Sequence, residues 1–514
     1  MQPTEIIEGA WSVDAPTPRS PHATELFDLV ADAGSFLSWD APPVSTPLSA
    51  QYDLELARAR ARSGVDEAIL TGEGRIKGRR VAMVASEFSF LGGSIGIAAA
   101  ERLVLAIERA TAERLPLLAS PASGGTRMQE GTLAFLSMVK ITAAITKHKS
   151  EGLPYLVYLR NPTTGGVMAS WASLGHVTVA EPGAMLGFLG PRVYEAIHGE
   201  PFPDGVQRAE NLLRRGLIDG ILAPRELRQM VDRILQLIQS PHVADDFERI
   251  AQPTIREVTT WESIERSRRA GRPGVRALLH VAASEVLPLS GTGEGEKEAS
   301  VILALVRIGG EACVVVGQDR GAQRSLGPLG PGALREARRG MRLASELGLP
   351  LVTVIDTPGA ALSRSAEEGG LSGEIARCLS ELISLPTPTL SVILGEGTGG
   401  GALALFPADF TIAAQHAWLS PLPPEGASAI IYKDTAHAAE MANAQGVSSA
   451  DLHRNGIVDL IVAEQPDAAE EPSDFCRRVG QAISHSLIAL QKQPVPLRFA
   501  VRQERYRSLG QGRK

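Results

Sequence analysis

Cysteine is scarce and poorly placed for chemistry. The chain of 514 residues holds three, Cys313, Cys378 and Cys476, far apart from one another. That spacing excludes a Cys-x-x-Cys metal site and supplies no disulfide framework. Histidine shows no pattern either. Ten are scattered, without a His-x-x-x-His pair or a His/Cys cluster, so no metal site is expected. His148, at a Lys-flanked helix end, and His176, opening a strand, read as structural. None of Ser123, Ser170 or Ser420 sits in Gly-x-Ser-x-Gly, which argues against a serine hydrolase of that type. The Walker lysine pattern is missing, and Gly395 to Gly401 is too glycine-dense and wrongly framed for a dinucleotide fingerprint. No apolar run reaches the ~18–20 residues of a membrane span. The first residues, Met1 to Gly9, lack the basic and apolar regions of a signal peptide. The thiols are therefore expected to be reduced and the protein cytoplasmic, with no membrane association. A net charge of -7 provides no basic surface, which excludes bulk nucleic-acid binding and leaves an anionic ligand to a local basic patch.

What the chain does have is glycine, in turns that repeat. The first is Asn161-Pro-Thr-Thr-Gly-Gly-Val-Met-Ala-Ser-Trp171, and the second is Glu396-Gly-Thr-Gly-Gly-Gly-Ala-Leu-Ala-Leu-Phe406. Each is followed by a short apolar strand pattern, His176 to Ala180 and Asp409 to Ala413. Each also has an earlier glycine-bearing companion in its own half. These are Ala122 to Gly131 after the run Leu115 to Ala119, and Asp356 to Ala360 after Pro350 to Ile355. The offset is roughly 235 residues, far beyond the ~20–50 of solenoid or propeller repeats. It reads as two domains of one fold. Adjacent glycines allow a tight turn and close approach of a ligand to the main chain. Where such a turn opens a helix, the first N–H groups lack intrahelical partners and lie at the positive end of the dipole. Such donors can hold an oxyanion or enolate oxygen. Strands alternating with helical stretches in each half argue for an α/β class.

At these residues the chain resembles a known family. Ser123 to Glu130, Pro162 to Val167, Ala180 to Arg192, Gly205 to Glu210 and Gly216 to Asp219 resemble the carboxyltransferase beta subunit of bacterial acetyl-CoA carboxylase. Ile355 to Ala360, Ala366 to Glu368, Gly395 to Gly397, Gly400 to Leu403 and Pro424 to Gly426 resemble its alpha subunit. The likeness covers most of the chain, as if both subunits were fused. It implies two tandem crotonase-like (ClpP/crotonase) spiral domains; periodicity alone leaves a doubly wound sheet open. The domain reading is a 1–50 N-terminal extension, a beta-like domain over 51–245, a linker region over 246–300, an alpha-like domain over 301–470, and a C-terminal helix with a solvated basic tail over 471–514. One departure stands out. The bacterial beta subunit usually opens with a four-cysteine zinc ribbon, whereas no cysteine precedes Cys313 here, so no zinc is expected.

The resemblance also implies the chemistry. Carboxybiotin on a carrier protein gives up its carboxyl group, and an acyl-CoA receives it at the α-carbon after losing a proton. Acetyl-CoA giving malonyl-CoA for fatty acid biosynthesis comes first, propionyl-CoA giving methylmalonyl-CoA second. Negative charge develops on two carbonyl oxygens, so two donor holes are required and no side-chain base. By resemblance, Gly165 and Gly166 belong to the thioester hole, and Gly400, Gly401 and Ala402 to the biotin hole. Gly124, Gly125, Gly359 and Ala360 are expected to line the cleft, and Ala404 to shape the acyl pocket. Arg127 and Arg192 are candidates for the CoA phosphates, with a structural ion pair as the other reading for each. The chain carries no Met-Lys-Met biotin-attachment motif and no recognisable biotin carboxylase, so a biotin carboxyl carrier protein and a biotin carboxylase are implied as partners. A homodimer, or a hexamer of three dimers, is implied as well. Two other classes stay open, a malonate or malonyl-CoA decarboxylase-type enzyme and a non-catalytic carrier-binding scaffold.

Overall fold

The computed structural model describes residues 20–44, 48–240, 242 and 253–510, and only the backbone of 191–193. The chain divides into two compact units. The N-terminal unit runs to Ile238 and includes Gly293–Gly295; the C-terminal unit comprises Gln239–Thr292 and Glu296 onward.

The N-terminal unit is built on a seven-stranded sheet. Its strands are β1 (Leu37–Ser38), β2 (Ile69–Ile76), β3 (Arg79–Ser86), β4 (Leu117–Ser120), β5 (Tyr155–Leu159), β7 (Val177–Ala180) and β9 (Gly220–Ile221), neighbours in that order. A separate pair, β6 (Thr163–Thr164) and β8 (Leu186–Gly187), carries the glycine turn. The first two pairings are antiparallel and the rest parallel. Parallel strands need crossovers, and helices supply them here. The helix α1 (Ala23–Val30) buries Ala23, Leu26, Phe27 and Val30, one face at helical spacing. Ser49 accepts from Tyr52 N–H and so caps α2 (Ala50–Ser63), which stops at Gly64 with φ +74°. The crossover α3 (Ile97–Ala112) lays Leu103, Val104 and Ile107 into the core, and α4 (Gly131–Ser150) adds Met138, Ile141 and Ile145. Of the extension read over 1–50, residues 1–19 and 45–47 lie outside the described residues, and α1 and β1 occupy part of the remainder.

The C-terminal unit repeats the plan. Its path is β10 (Ala283–Leu289), β11 (Val301–Ile308), β12 (Glu311–Gln318), β13 (Leu351–Thr357), β14 (Thr389–Thr398), β15 (Phe410–Ala414) and β17 (Leu460–Val462), with β16 (Trp418–Ser420) paired to β14. Again two antiparallel pairings lead into parallel ones. Every residue of β11 through β14 is buried, as the continuous apolar runs dictate. Cys313 lies in β12 with no exposure. The crossover helix is α5 (Pro331–Leu347). Residues 290–300, the end of the region read as a linker, are fixed at several points. Glu298 accepts from Gly330 and Gly332 N–H at 3.0 Å, capping α5, and Thr292 N–H donates to Glu296 O at 2.8 Å.

The C-terminal end corrects the reading of a solvated tail. After the long helix Pro472–Gln491 comes a second helix, Val495–Arg507, held to the body by its arginines. Arg502 is 1% exposed, donates twice to the Asp409 carboxylate at 2.8 and 2.7 Å, and also reaches the carbonyls of Leu382, Leu385 and Thr387. Arg505 pairs with Asp459 at 2.7 Å. Basic composition alone suggested solvent; buried acidic partners far away in sequence decide otherwise.

Candidate functional site

In the N-terminal unit two turns meet. One follows β4 and contains Gly124 and Gly125; the other follows β6 and contains Gly165 and Gly166. Ser123 N–H donates to Pro162 O at 2.7 Å and Thr164 N–H to Ser123 O at 2.8 Å, which zips the turns together. Gly125 has φ +112° and Gly165 φ +64°. A Cβ on Gly165 would lie 3.2 Å from Gly125 Cα, and one on Gly125 would lie 3.4 Å from Gly166 N. Backbone conformation and close approach both demand glycine at these positions. The Ser123 hydroxyl accepts from Gly125 N–H at 3.0 Å and fixes the turn. Gly165 N–H is already committed to Phe188 O at 3.0 Å. Gly166 N–H, half-buried at the start of a short helix (Gly165–Met168), makes no hydrogen bond among the described residues. It is the open donor of this turn.

The C-terminal unit builds the same object at a constant offset along the chain. Gly359 has φ +134° and Gly399 φ +63°, and Thr357 Oγ1 accepts from Gly359 N–H at 3.1 Å as Ser123 does from Gly125. The bridge between Ile95 and Thr126 has its counterpart between Leu329 and Ala360. The second glycine turn opens the helix α6 (Gly399–Leu403), in which Gly400 is half-buried, Gly401 and Ala402 are buried, and Gly400 and Gly401 N–H have no partner among the described residues. A Cβ on Gly401 would come within 3.3 Å of Ala360 N, so this turn also packs on its companion. Within each unit, then, the expected glycines are together.

Other expected residues fall differently. Arg127 is not offered to a ligand. It is 1% exposed and ion-paired with Glu67 and, at 3.1 Å, with Glu130. It also donates to Ser94 O at 2.9 Å, and against the downward pull of burial Glu67 and Tyr52 hold its guanidinium above the usual range. The structural reading of Arg127 is the one realised, because a buried guanidinium needs close anionic partners. Arg192 lies outside the described side chains. Ala404 has no exposure and its N–H donates to Gly400 O at 3.0 Å, so it ends the turn of α6 from inside.

Sequence reasoning missed the residues beneath the turns. Arg160 is 1% exposed; it donates to Ser120 Oγ and Ser120 O at 2.9 Å and to Pro21 O at 2.8 Å, tying the ends of β4 and β5 together. Burial pulls its guanidinium down to about 10. Asp356, 1% exposed, is pushed up to about 6 by burial, opposed by Arg320 and Arg272. A charged residue directly after an apolar strand run was the available signal for both. The N-terminal unit opens a cleft of about 660 Å3, with Met168, Phe188 and Phe202 among its walls and Arg214 and Arg215 on its lining. Among the described residues no group of His, Cys, Asp and Glu is arranged for a metal ion, and no helix is long and apolar enough to cross a membrane.

The carboxyl transferase domain model matches residues 23–499. A Mycobacterium tuberculosis protein named "Probable biotin-dependent acyl-coenzyme A carboxylase beta3 subunit" is 60% identical over 95% of this chain and 98% of its own length. A Salinispora arenicola protein named "Acetyl-coenzyme A carboxylase carboxyl transferase subunits beta/alpha" is 36% identical over 96% of this chain and 91% of its own. Among solved structures, a transcarboxylase 12S described as a hexamer assembly with hydrolysed methylmalonyl-coenzyme A bound aligns with a TM-score of 0.73 at 21% identity, over 96% of this chain and 93% of that one. That likeness shows the fold, two tandem crotonase-like α/β domains.

Proposed function

Because the chain belongs to the carboxyl transferase domain family, we propose that it moves a carboxyl group from carboxybiotin on a carrier protein to the α-carbon of a short acyl-CoA. The enzyme class, a biotin-dependent acyl-CoA carboxyltransferase, rests on the family match and the relative of 60% identity. The observation that carries the assignment to residues is the paired turn: in each unit a positive-φ glycine is followed by an N–H without a protein partner.

Biotin, when bound, brings the carboxyl group and a ureido nitrogen able to take the α-proton. The donor set fits that group, because a ureido or thioester oxygen gaining charge needs fixed N–H donors and no metal. Gly166 N–H stands ready for the thioester oxygen, and Gly165 supplies the conformation that presents it. Gly400 and Gly401 N–H stand ready for the ureido oxygen. Losing one such donor costs roughly 3–4 kcal/mol of transition-state stabilisation. The cleft walled by Met168 and Phe188 suits CoA, with aromatic and thioether walls for the pantetheine and base and two arginines for phosphate oxygens. Acetyl-CoA is the first acceptor to try and propionyl-CoA the second, with malonyl-CoA supply for fatty acid chains as the corresponding use. A biotin carboxyl carrier protein and a biotin carboxylase are proposed as partners, in keeping with a relative named as the beta3 subunit of a biotin-dependent carboxylase, and a cytoplasmic setting is proposed with them. Self-association is supported by the outer face of α4, where Leu133, Phe135, Leu136 and Val139 are all exposed.

The test is transfer from a carboxylated biotin carrier to acetyl-, propionyl- and butyryl-CoA, followed by mass spectrometry of the CoA products. Carboxylated acyl-CoA formed only with carrier present is expected. Release of CO2 from malonyl-CoA without carrier, and no transfer, would favour the decarboxylase class instead. Carrier binding without turnover would favour the scaffold.

A further inference from the structure

Gln318 ends β12 and is fully buried. It belongs to neither glycine turn, yet it touches both turns of the C-terminal unit. Its Nε2 donates to Gly401 O at 2.7 Å, and its Oε1 accepts from Asp356 N–H at 3.1 Å. The partners fix the orientation of the amide, since a flip would set oxygen against oxygen and N–H against N–H.

The Gly401 carbonyl needs this donor. In a longer helix Leu405 N–H would satisfy it, but α6 stops at Leu403 and Leu405 N–H goes to Ala402 O at 3.2 Å. Gly401 also carries one of the two open N–H donors of this turn, so holding its carbonyl limits how far that residue can rotate. At the other end, Asp356 N–H starts the turn whose Ala360 packs on Gly401. One side chain therefore sets the gap between the two turns.

We infer that Gln318 is a positioning residue for the carbonyl-oxygen hole of the C-terminal unit, anchoring Gly401 through its carbonyl and spacing it from the Asp356–Ala360 turn. The inference rests on the functional reading above. The hydrogen-bonding groups of this one amide, more than its bulk, then govern the transfer step.

Two variants test it. Gln318→Met keeps volume and loses both hydrogen bonds. Gln318→Glu keeps the acceptor for Asp356 N–H, but when ionised it faces the Gly401 carbonyl with a second oxygen. Its neutral form offers one O–H and one carbonyl, the two groups that the amide uses. Burial favours that neutral form; the nearby Asp356, whose N–H the side chain accepts from, is itself coupled to Arg320, Arg272 and Glu396. Since Asp356 titrates in every variant, rates are read as ratios to wild type at each pH.

Expected for Gln318→Met is a kcat at least about tenfold lower with CoA-ester Kd, measured by calorimetry, within about twofold of wild type. Expected for Gln318→Glu is a similar loss at high pH that recovers as the pH falls. A Met variant with more than half the wild-type kcat would overturn the inference. So would a Kd that weakens as much as kcat falls, or a Glu variant whose ratio to wild type is flat with pH. If the Met variant does not fold, the Glu ratio decides alone. A wild-type chain without transfer activity would instead overturn the functional reading, and this inference with it.

Discussion

Gly165 and Gly166 are adjacent, yet they do different work, and substitution separates them. Alanine at Gly165 meets a φ of +64°, where a Cβ costs roughly 1–2 kcal/mol, and a backbone contact at 3.2 Å to Gly125. Gly165→Ala is expected to lower the unfolding temperature and turnover together. Gly166 has no positive φ, and a Cβ there meets Thr126 Oγ1 at 2.8 Å, the end of a side chain able to turn away. Gly166→Ala is expected to leave the unfolding temperature nearly unchanged while kcat falls, which calorimetry beside steady-state kinetics would show. At Ala404 complete burial changes the meaning of a bulky substitution. Ala404→Ile overpacks the end of α6 at about 1–3 kcal/mol, so a shift in acetyl-, propionyl- and butyryl-CoA ratios counts as pocket lining only if the variant stays folded. Unchanged kcat/KM ratios in a folded variant would remove Ala404 from the pocket. Glu336 offers a pH signature away from the turns. Burial pushes its carboxyl up to about 7 from an ordinary 4.5, although Gly291 N–H donates to it at 3.2 Å. The folded state then keeps a proton that the unfolded chain releases, so stability from this group is present below about pH 4.5 and lost as pH rises to 7. Glu336→Gln should remove that decline, on the order of 3 kcal/mol above pH 7, and flatten the pH dependence of urea unfolding across that window.

At the scale of elements, the two short glycine helices are too brief to stand by propensity, and tertiary contacts hold them. The bond from Gly165 N–H to Phe188 O and the Gln318 contact with Gly401 O are examples. The C-terminal helix Val495–Arg507 is the element that composition misplaced. It docks through Arg502, whose loss would leave the Asp409 carboxylate buried without its closest partner. Arg502→Met is expected to cost about 3–5 kcal/mol, seen as loss of amide-exchange protection in Leu382–Thr387 as well as in the helix itself. An unchanged exchange pattern would mean that the helix is held by something else.

At the scale of the molecule, Leu133, Phe135, Leu136 and Val139 are exposed together on α4, and clustered exposed apolar residues mark contact surfaces. Light scattering is expected to give a dimer or a hexamer, and a fully active monomer would refute the assembly proposed above. Much of this protein was open to reading along the chain. The apolar runs and the glycine turns are local: a strand, a tight turn and the repeat of both depend on neighbours in sequence, so the two-domain α/β plan and the presence of two glycine turns in each half could be stated from residue order. What the sequence could not decide were pairings over long separations. Arg127 read equally well as a phosphate ligand or an ion-pair member until Glu67 and Glu130 were found against it. Gly165 and Gly166 looked alike until Phe188 claimed one of the two N–H groups. Arg502 looked solvated until Asp409 met it, and Gln318 looked like the end of a strand until both turns closed on its amide. The local code fixes what each segment can offer. Which donor stays free and which charge is buried depends on partners brought close only when the chain has folded.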